Sequence, residues 1–150
     1  IKVIEYNARF GDPEAMNVLS ILKSDFLSIC ISMVEGRLDK ESVLFDELAT
    51  VCKYVVPLGY PNNPARGFEV FCDQGDPSLF LASVMLKDKK LIACGSRTAA
   101  VVGKNRDIWK AEAFAEKGVS NISGKLFHRK DIGTKDLIGL RVKRMKELLG

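Results

Sequence analysis

Several features that would assign a protein to a class are missing from this sequence. It has one histidine and one tryptophan, and aromatic residues make up 8% of its 150 residues. No apolar run approaches the ~20 residues that span a bilayer, and no secretory leader is recognisable. No internal repeat or low-complexity segment occurs. We therefore expect a globular cytoplasmic protein without a membrane segment.

The cysteines form no metal or disulfide motif. Cys30, Cys52, Cys72 and Cys94 occur singly, each about twenty residues from the next. No C-x-x-C pair is present, so nothing indicates a zinc site. Each cysteine has apolar neighbours in the sequence. This pattern predicts buried, reduced thiols.

What is present is enough for a folded core. Apolar residues make up 47% of the chain, which suits one ordinary domain or one small domain plus part of another. The chain begins at Ile1 within an expected strand, Lys2–Asn7, so we expect it to be part of a longer protein. A polar stretch between Arg37 and Glu47 is the best candidate boundary. It predicts two domains, residues 1–46 and 47–150.

Helix signals dominate the first part and strand signals the second. Asp12-Pro13-Glu14 suits a helix start, with Asp12 as a possible cap, and that helix should run to about Lys23. A second helix should start at Ser24-Asp25 and end near Gly36. The later strands are predicted at ATVCKYVVPL, FEVFC, SLFLASVML, LIACG, RTAAVVG and KLFHR, with DKK as a hairpin tip. An amphipathic helix, DIWKAEAFAEKGVSNIS, separates the last two strands. The fold class is therefore α+β, rich in antiparallel hairpins.

The end of the chain is a basic amphipathic helix. Residues 125–150 carry a formal charge of +5, whereas the rest is nearly neutral. Such a helix could contact nucleic acid or anionic lipid, or it could dock by its apolar face with its lysines in solvent. No aromatic stripe accompanies the charges, so we favour docking. The apolar face is predicted to contain Leu137, Ile138, Val142, Met145 and Leu149.

A carrier-type domain is a further alternative from another class. Lys87, Lys89 and Lys90 flank the hairpin tip, where small barrels can present a modified lysine. The tip lacks the Met-Lys context of biotin or lipoyl attachment. Nucleic-acid binding and a carrier role therefore remain alternatives to an enzymatic function.

The opening strand ends in polar residues that could bind a metal ion. Glu5 and Asn7 share one face of a strand, about 6.6 Å apart at ~3.3 Å per residue. Carboxylate and amide oxygens suit Mg²⁺, which commonly takes one or two such groups beside phosphate oxygens. Arg9 has the same parity and could bind a phosphate or carboxylate. A polar strand end facing solvent is the simpler interpretation of the same residues.

The whole stretch VIEYNARFGDPEA, Val3–Ala15, resembles the signature near the end of the ATP-grasp core of the phosphoribosylamine–glycine ligases, also called glycinamide ribonucleotide synthetases. Further matches follow in family order and are similar to archaeal members most of all. They are Ile21–Asp25, EGRLD at Glu35–Asp39, GYP at Gly59–Pro61, the turn Gly95–Arg97, and RKDIG at Arg129–Gly133. Together they cover nearly the whole chain.

The resemblance implies a fold and an activity. Residues 1–46 would supply a strand and two helices of an ATP-grasp domain, and 47–150 a small hairpin-rich β-barrel or sandwich-hybrid domain with flanking helices. The implied reaction joins glycine to 5-phosphoribosylamine through a glycyl phosphate, with ATP converted to ADP and phosphate, in purine biosynthesis. The ATP-covering loop and adenine-binding lysine of such enzymes would precede Ile1. The chain alone is therefore expected to be inactive and to depend on upstream domains.

The resemblance also implies site residues. Glu5 and Asn7 match ligands of Mg²⁺ or Mn²⁺, and Arg9 matches a catalytic arginine near the transferred phosphate or acyl phosphate. No nucleic acid and no membrane are expected as partners.

The substrate-binding residues implied by the same family are Asp12, Glu14 and Arg97. Asp12 and Glu14 would shape the substrate pocket, although helix capping explains them equally well. Arg97 would face the ribose phosphate. Many bacterial relatives have His-Ala-Gly at the position of Leu81-Ala82-Ser83 and Gly-Gly-Arg at the position of Gly95-Ser96-Arg97. The departure at residue 81 puts any substrate contact there in doubt.

Overall fold

The structure is a computed structural model that describes Val3, Tyr6 and residues 8–150. It contains two compact units, Ile1–Leu48 and Ala49–Gly150. Most of the predicted strand Lys2–Asn7 lies outside the described residues. The assignment of residues 1–46 to an ATP-grasp domain and of 47–150 to a second domain stays a prediction.

The first unit contains two short helices and one 3₁₀ turn, at Leu38–Lys40. Helix α1 spans Glu14–Leu19, so it ends before the predicted Lys23. Pro13 occupies its N-cap position, one residue after the predicted cap Asp12. Helix α2 spans Phe26–Val34. Its start is confirmed, because the side chain of Asp25 accepts a 2.7 Å hydrogen bond from the amide of Ser28.

Polar bonds rather than a sealed core hold the first unit together. Ser24 Oγ donates to the carbonyl of Ser42 at 3.1 Å and accepts from the amide of Leu44 at 2.8 Å. The rings of Phe10 and Phe26 contact each other with centroids 5.8 Å apart. Among the described residues, every fully buried apolar side chain belongs to the second unit.

The second unit is built from seven antiparallel strands and two helices. One sheet has the order β3-β6-β1-β7 and the other the order β2-β5-β4. Within the described part of the chain both sheets stay open, so the predicted barrel does not close. The strands are β1 Ala49–Pro57, β2 Glu69–Val70, β3 Leu79–Leu81, β4 Val84–Lys87, β5 Lys90–Ala93, β6 Ala99–Asn105 and β7 Leu126–His128. The helices are α3 Ile108–Ser120 and α4 Lys135–Leu149.

The predicted strand SLFLASVML is in fact two strands in two sheets. Strand β3 pairs with β6, whereas β4 pairs with β5. The break comes at Ala82 and Ser83, because the amide of Val84 bonds back to the carbonyl of Ala82 at 3.0 Å. The hairpin tip between β4 and β5 is confirmed. Asp88 and Lys89 both have positive φ, as a two-residue primed turn requires.

The main core lies between the two sheets and helix α3. Val55 and Ala99 from the first sheet meet Val70 and Leu91 from the second, with Val119 of α3 between them. A second cluster joins Val51 of β1 to Ala111 and Ala115 of α3. Alternation along β1 turns Val51, Lys53 and Val55 toward α3. The cysteines are free, as predicted, but they are half-buried rather than buried.

Helix α4 forms as predicted, but within this chain the docking that we favoured is seen only at the start of the helix. None of its residues is buried, and no other described helix or strand packs extensively on it. Leu137 and Ile138 are half-buried, whereas Met145 is 52% exposed and Leu149 is 80% exposed, so the apolar face is open to solvent beyond the first turn. None of the helices among the described residues combines the length and the apolar character that crossing a membrane requires.

Candidate functional site

The expected metal ligands cannot be placed. Glu5 and Asn7 lie outside the described residues. Within the described part of the chain, no group of three or more histidine, cysteine or acidic side chains could hold a metal ion. The metal site therefore stays a prediction from the sequence.

The other three predicted residues of the first unit are exposed. Arg9 donates from Nη1 to the carbonyl of Phe10 at 3.0 Å. Asp12 and Glu14 flank Pro13 at the start of α1. The Glu14 carboxylate folds over Gly11 so closely that a Cβ on Gly11 would lie 2.2 Å from Oε2. Because Gly11 has no side chain, that carboxylate has room beside the start of α1.

Arg97, the remaining predicted residue, lies in the turn between β5 and β6. Its guanidinium carbon is 5.4 Å from the centroid of the Tyr54 ring, within the range of a cation–π contact. The carbonyl of Arg97 accepts a 2.9 Å bond from the amide of Ser83, and the amide of Thr98 donates to Val55 at 3.0 Å. The backbone is therefore held on both sides, and the half-buried side chain is supported by β1.

The structure brings together two segments that the sequence analysis singled out separately. Leu81-Ala82-Ser83 runs beside Gly95-Ser96-Arg97, joined by the bond from Ser83 and by a 3.0 Å bond from the amide of Cys94 to the carbonyl of Ser83. Both departures from the bacterial pattern thus fall at one place in the fold. A substitution in one tripeptide is therefore directly beside the other tripeptide.

An arginine that the sequence did not indicate packs on the same turn. Gly95 is buried and has a φ of +92°, and a Cβ there would lie 2.4 Å from Nε of Arg66. Only glycine combines this backbone with that contact. Arg66 and Lys87 have no acidic partner among the described residues, so this cleft favours anions. The cleft, of about 450 Å³, is lined by Arg66, Gly67, Met85, Lys87, Ile92, Ala93 and Cys94.

A buried ion cluster on the other face of β1 also escaped the sequence analysis. Lys53 is 1% exposed, and its Nζ donates to Glu112 Oε1 at 2.6 Å, to Glu116 Oε2 at 2.6 Å and to the carbonyl of Lys130 at 2.9 Å. Glu116 Oε1 lies 3.0 Å from His128 Nε2. The sequence did offer one indication of this cluster. In the alternating pattern of the strand, Lys53 lies between Val51 and Val55, which both face inward.

The cluster favours the charged form of Glu116. Burial acts to raise the pKa of Glu116, but hydrogen bonds and charge from Lys53 and His128 outweigh it, so the pKa lies below its ordinary value. A carboxylate oxygen only accepts, so Nε2 of His128 is the donor in that contact. His128 therefore has a structural partner in the cluster.

The fold and these sites define a class, an antiparallel α+β domain with a basic turn between its two sheets. The family described as "Phosphoribosylglycinamide synthetase, C domain" matches residues 50–135. The chain belongs to this family, and the resemblance seen in the sequence is confirmed.

The curated relatives that the chain matches are named phosphoribosylamine–glycine ligase. The chain is 52% identical to the phosphoribosylamine–glycine ligase of Methanococcus maripaludis, over 98% of this chain and 34% of the relative. It is 51% identical to the one of Methanosarcina acetivorans, over 99% of this chain and 34% of the relative. The chain thus spans about a third of the length of these archaeal relatives.

A solved structure agrees in fold. The crystal structure of phosphoribosylamine–glycine ligase from Thermotoga maritima superposes with a TM-score of 0.73 at 26% sequence identity. The match covers 87% of this chain and 33% of that one. The mixed α and β architecture described above is therefore that of a ligase of this kind.

Proposed function

We propose that this chain is part of an ATP-dependent ligase that joins glycine to 5-phosphoribosylamine and so makes glycinamide ribonucleotide for purine biosynthesis. The observation that carries the proposal is the family match over residues 50–135, together with about half-identical relatives of that name along nearly the whole chain. The basic turn at Arg97 gives the matched region a group suited to a phosphorylated substrate.

The proposed chemistry has two transfers. A carboxylate oxygen of glycine attacks the γ-phosphorus of ATP, which forms glycyl phosphate and releases ADP. The amine of phosphoribosylamine then attacks the acyl carbon, phosphate leaves, and the nitrogen loses a proton to give the amide. Both steps gather negative charge on phosphoryl oxygens, so cations near them lower the barrier.

In this proposal Glu5 and Asn7 bind Mg²⁺ or Mn²⁺, which would offset the charge of the phosphates. Arg9 would stand near the phosphoryl group or the acyl phosphate. Its side chain donates to the carbonyl of Phe10 and is exposed, so it is accessible to a ligand. Asp12 and Glu14 would contribute to the substrate pocket.

Arg97 is proposed to bind the phosphate of phosphoribosylamine. A guanidinium offers paired donors that match phosphate oxygens, and the contact with Tyr54 limits how far the side chain can move. We expect the chain alone to be inactive, since the nucleotide-binding elements of ATP-grasp enzymes have no counterpart in its sequence.

The first experiment follows ADP release by the full-length protein that contains this chain, with ATP, Mg²⁺, glycine and phosphoribosylamine. Release that requires both substrates supports the ligase. Release without them would point to other substrates. Glu5→Gln should be strongly impaired or should need much more Mg²⁺, whereas unchanged activity would make Glu5 only the polar end of a strand.

A second experiment tests Arg97. In the full-length protein, Arg97→Met should raise KM for phosphoribosylamine about 10- to 100-fold, the value of a charge-assisted hydrogen bond, with little change in KM for ATP. Arg106→Met is the matched control, since Arg106 is an exposed arginine on the loop before α3. A larger effect from Arg66→Met than from Arg97→Met would place the phosphate in the cleft of Arg66 and Lys87 instead.

A further inference from the structure

The RKDIG segment, Arg129–Gly133, is a sequence feature that the proposed reaction leaves without a role. It follows β7 and leads directly into α4. Its first side chain pairs with its third, since Arg129 Nε lies 3.0 Å from Asp131 Oδ1. Its fourth, Ile132, packs on the cluster of Val51 and α3. The segment is therefore a defined structure rather than a loose connection.

The buried end of Lys53 reaches this segment through its backbone. An ammonium has three donors, and all three have acceptors here, two carboxylates of α3 and the carbonyl of Lys130. The side chain of Lys53 is 0% exposed. One buried side chain thus ties together β1, α3 and the RKDIG segment.

Close packing adds to the tie. Gly133 has a φ of +78°, and a Cβ there would lie 2.7 Å from Val51 Cγ1 and 3.3 Å from Glu112 Cγ. The chain therefore passes tightly over β1 at this point. Immediately afterwards Thr134 starts α4, which has no buried residue of its own. The direction in which α4 leaves the sheet is consequently decided within this segment.

We propose that Lys53 is a positioning residue, whose ammonium holds the RKDIG segment, and with it the start of α4, in place through the carbonyl of Lys130. The alternative is that Lys53 only compensates the two carboxylates of α3. This inference does not depend on the ligase reaction, so it can fail while the proposed function holds.

The two roles can be separated by comparing removal of Lys53 alone with removal of all three charges. Lys53→Met alone leaves Glu112 and Glu116 without their buried cation, which is strongly destabilising. Replacing the whole set by neutral groups of similar shape is often tolerated. The triple variant Lys53→Met, Glu112→Gln, Glu116→Gln should therefore recover stability, yet the carbonyl of Lys130 still lacks its donor.

The experiment combines thermal unfolding with amide hydrogen exchange on the full-length protein that contains this chain. Lys53→Met should lower Tm by about 10 °C or more, and the triple variant should regain most of that loss. The amides of Thr134 and Ile138, which bond to Asp131 and to Thr134 in the native state, should still exchange about 10-fold faster in the triple variant than in wild type.

Two controls make the outcome specific. The amide of Thr98, which bonds to Val55 within the sheet, should exchange in the triple variant as it does in wild type. Lys143→Met, which removes an exposed pair with Glu147 at 4.0 Å, should alter neither Tm nor the two amides. Native exchange at Thr134 and Ile138 in the stable triple variant would overturn the proposal, because only the charge role would then remain.

Discussion

Helices α3 and α4 belong to the same unit and are both amphipathic, yet α3 buries its apolar face and α4 leaves most of its own exposed. Ala111 and Ala115 of α3 are 0% exposed, whereas Leu148 and Leu149 of α4 are 79% and 80% exposed. Each helix has a capping residue, Asp107 for α3 and Thr134 for α4.

The difference lies in the surface that each helix meets. Small residues of α3 and Gly103 of β6 let helix and sheet backbones approach closely, and Lys53 satisfies the two carboxylates that face inward. No described surface offers α4 a similar fit. Amphipathic periodicity therefore forms a helix, but complementary partners decide whether its apolar face is buried.

The largest expected effect comes from Gly103→Ala. A Cβ at this position would lie 1.9 Å from the carbonyl oxygen of Ala111 and 2.7 Å from the amide nitrogen of Ala115, so α3 would be pushed from the sheet. We expect the free energy of unfolding to fall by about 3 kcal/mol or more, measured by urea denaturation.

The matched control is Gly139→Ala in α4. Nothing lies within 4 Å of a Cβ there. Replacing a helical glycine by alanine should stabilise α4 by about 0.5–1 kcal/mol. If the two substitutions had equal effects, the close contact of α3 with β6 would be wrong.

Next in size is truncation of the apolar faces. Val119 of α3 is 1% exposed and Val142 of α4 is 48% exposed. Val119→Ala should cost about 2 kcal/mol, because it leaves a cavity in the main core. Val142→Ala should stay within about 0.5 kcal/mol of wild type. A large cost at Val142 in the isolated chain would show that α4 is docked after all.

The caps provide a smaller contrast. Asp107 accepts a 2.8 Å bond from the amide of Trp109, and Asp107→Ala should lower global stability by about 1 kcal/mol. Thr134 accepts from the amide of Leu137 at 3.4 Å. Thr134→Ala should increase amide exchange at the start of α4 while the urea midpoint stays unchanged. A shifted midpoint would mean that α4 unfolds together with the core.

The smallest expected effect is on pH dependence. The pKa of Glu116 lies below the ordinary 4.5, so its contribution to stability is present above that value and is lost as pH falls through the native pKa. Tm should therefore decline below about pH 4.5, and Glu116→Gln should flatten that decline. Glu147→Gln in α4 should leave it unchanged, because its 4.0 Å pair with Lys143 is exposed.

Other carboxylates also contribute to the decline of Tm at acid pH. Hydrogen bonds from Ser28, Ser78 and Arg129 hold the pKa of Asp25, Asp76 and Asp131 below their ordinary values. Some decline in Tm should therefore persist in Glu116→Gln. If the Tm of Glu116→Gln declined at acid pH just as that of wild type does, the assigned role of Glu116 would be wrong.

Much of the fold follows from short-range signals. The start of α2 was predictable because the Asp25 side chain bonds the amide of Ser28, three residues away. The hairpin tip at Asp88-Lys89 was predictable because polar turn residues separate two apolar runs. Arg97 was predicted from a resemblance, and the structure adds its contact with Tyr54. Glu5 and Asn7 remain predictions.

The pairing of residues that lie far apart in the chain could not be predicted from the sequence. The run from Leu79 to Lys87 reads as one strand, and only its partners β6 and β5 divide it between two sheets. Nothing local could reveal that Lys53 meets Glu112 and Glu116, which lie 59 and 63 residues further along the chain.

The sequence by itself determined the family and the order, type and approximate limits of most helices and strands, because caps, turns and periodicity act over a few residues. Only the tertiary structure decided that the sheets stay open, that Lys53 is buried with its acceptors and that the described residues leave most of the apolar face of α4 uncovered. Burial depends on which surfaces meet, and those surfaces are assembled from residues far apart in the chain.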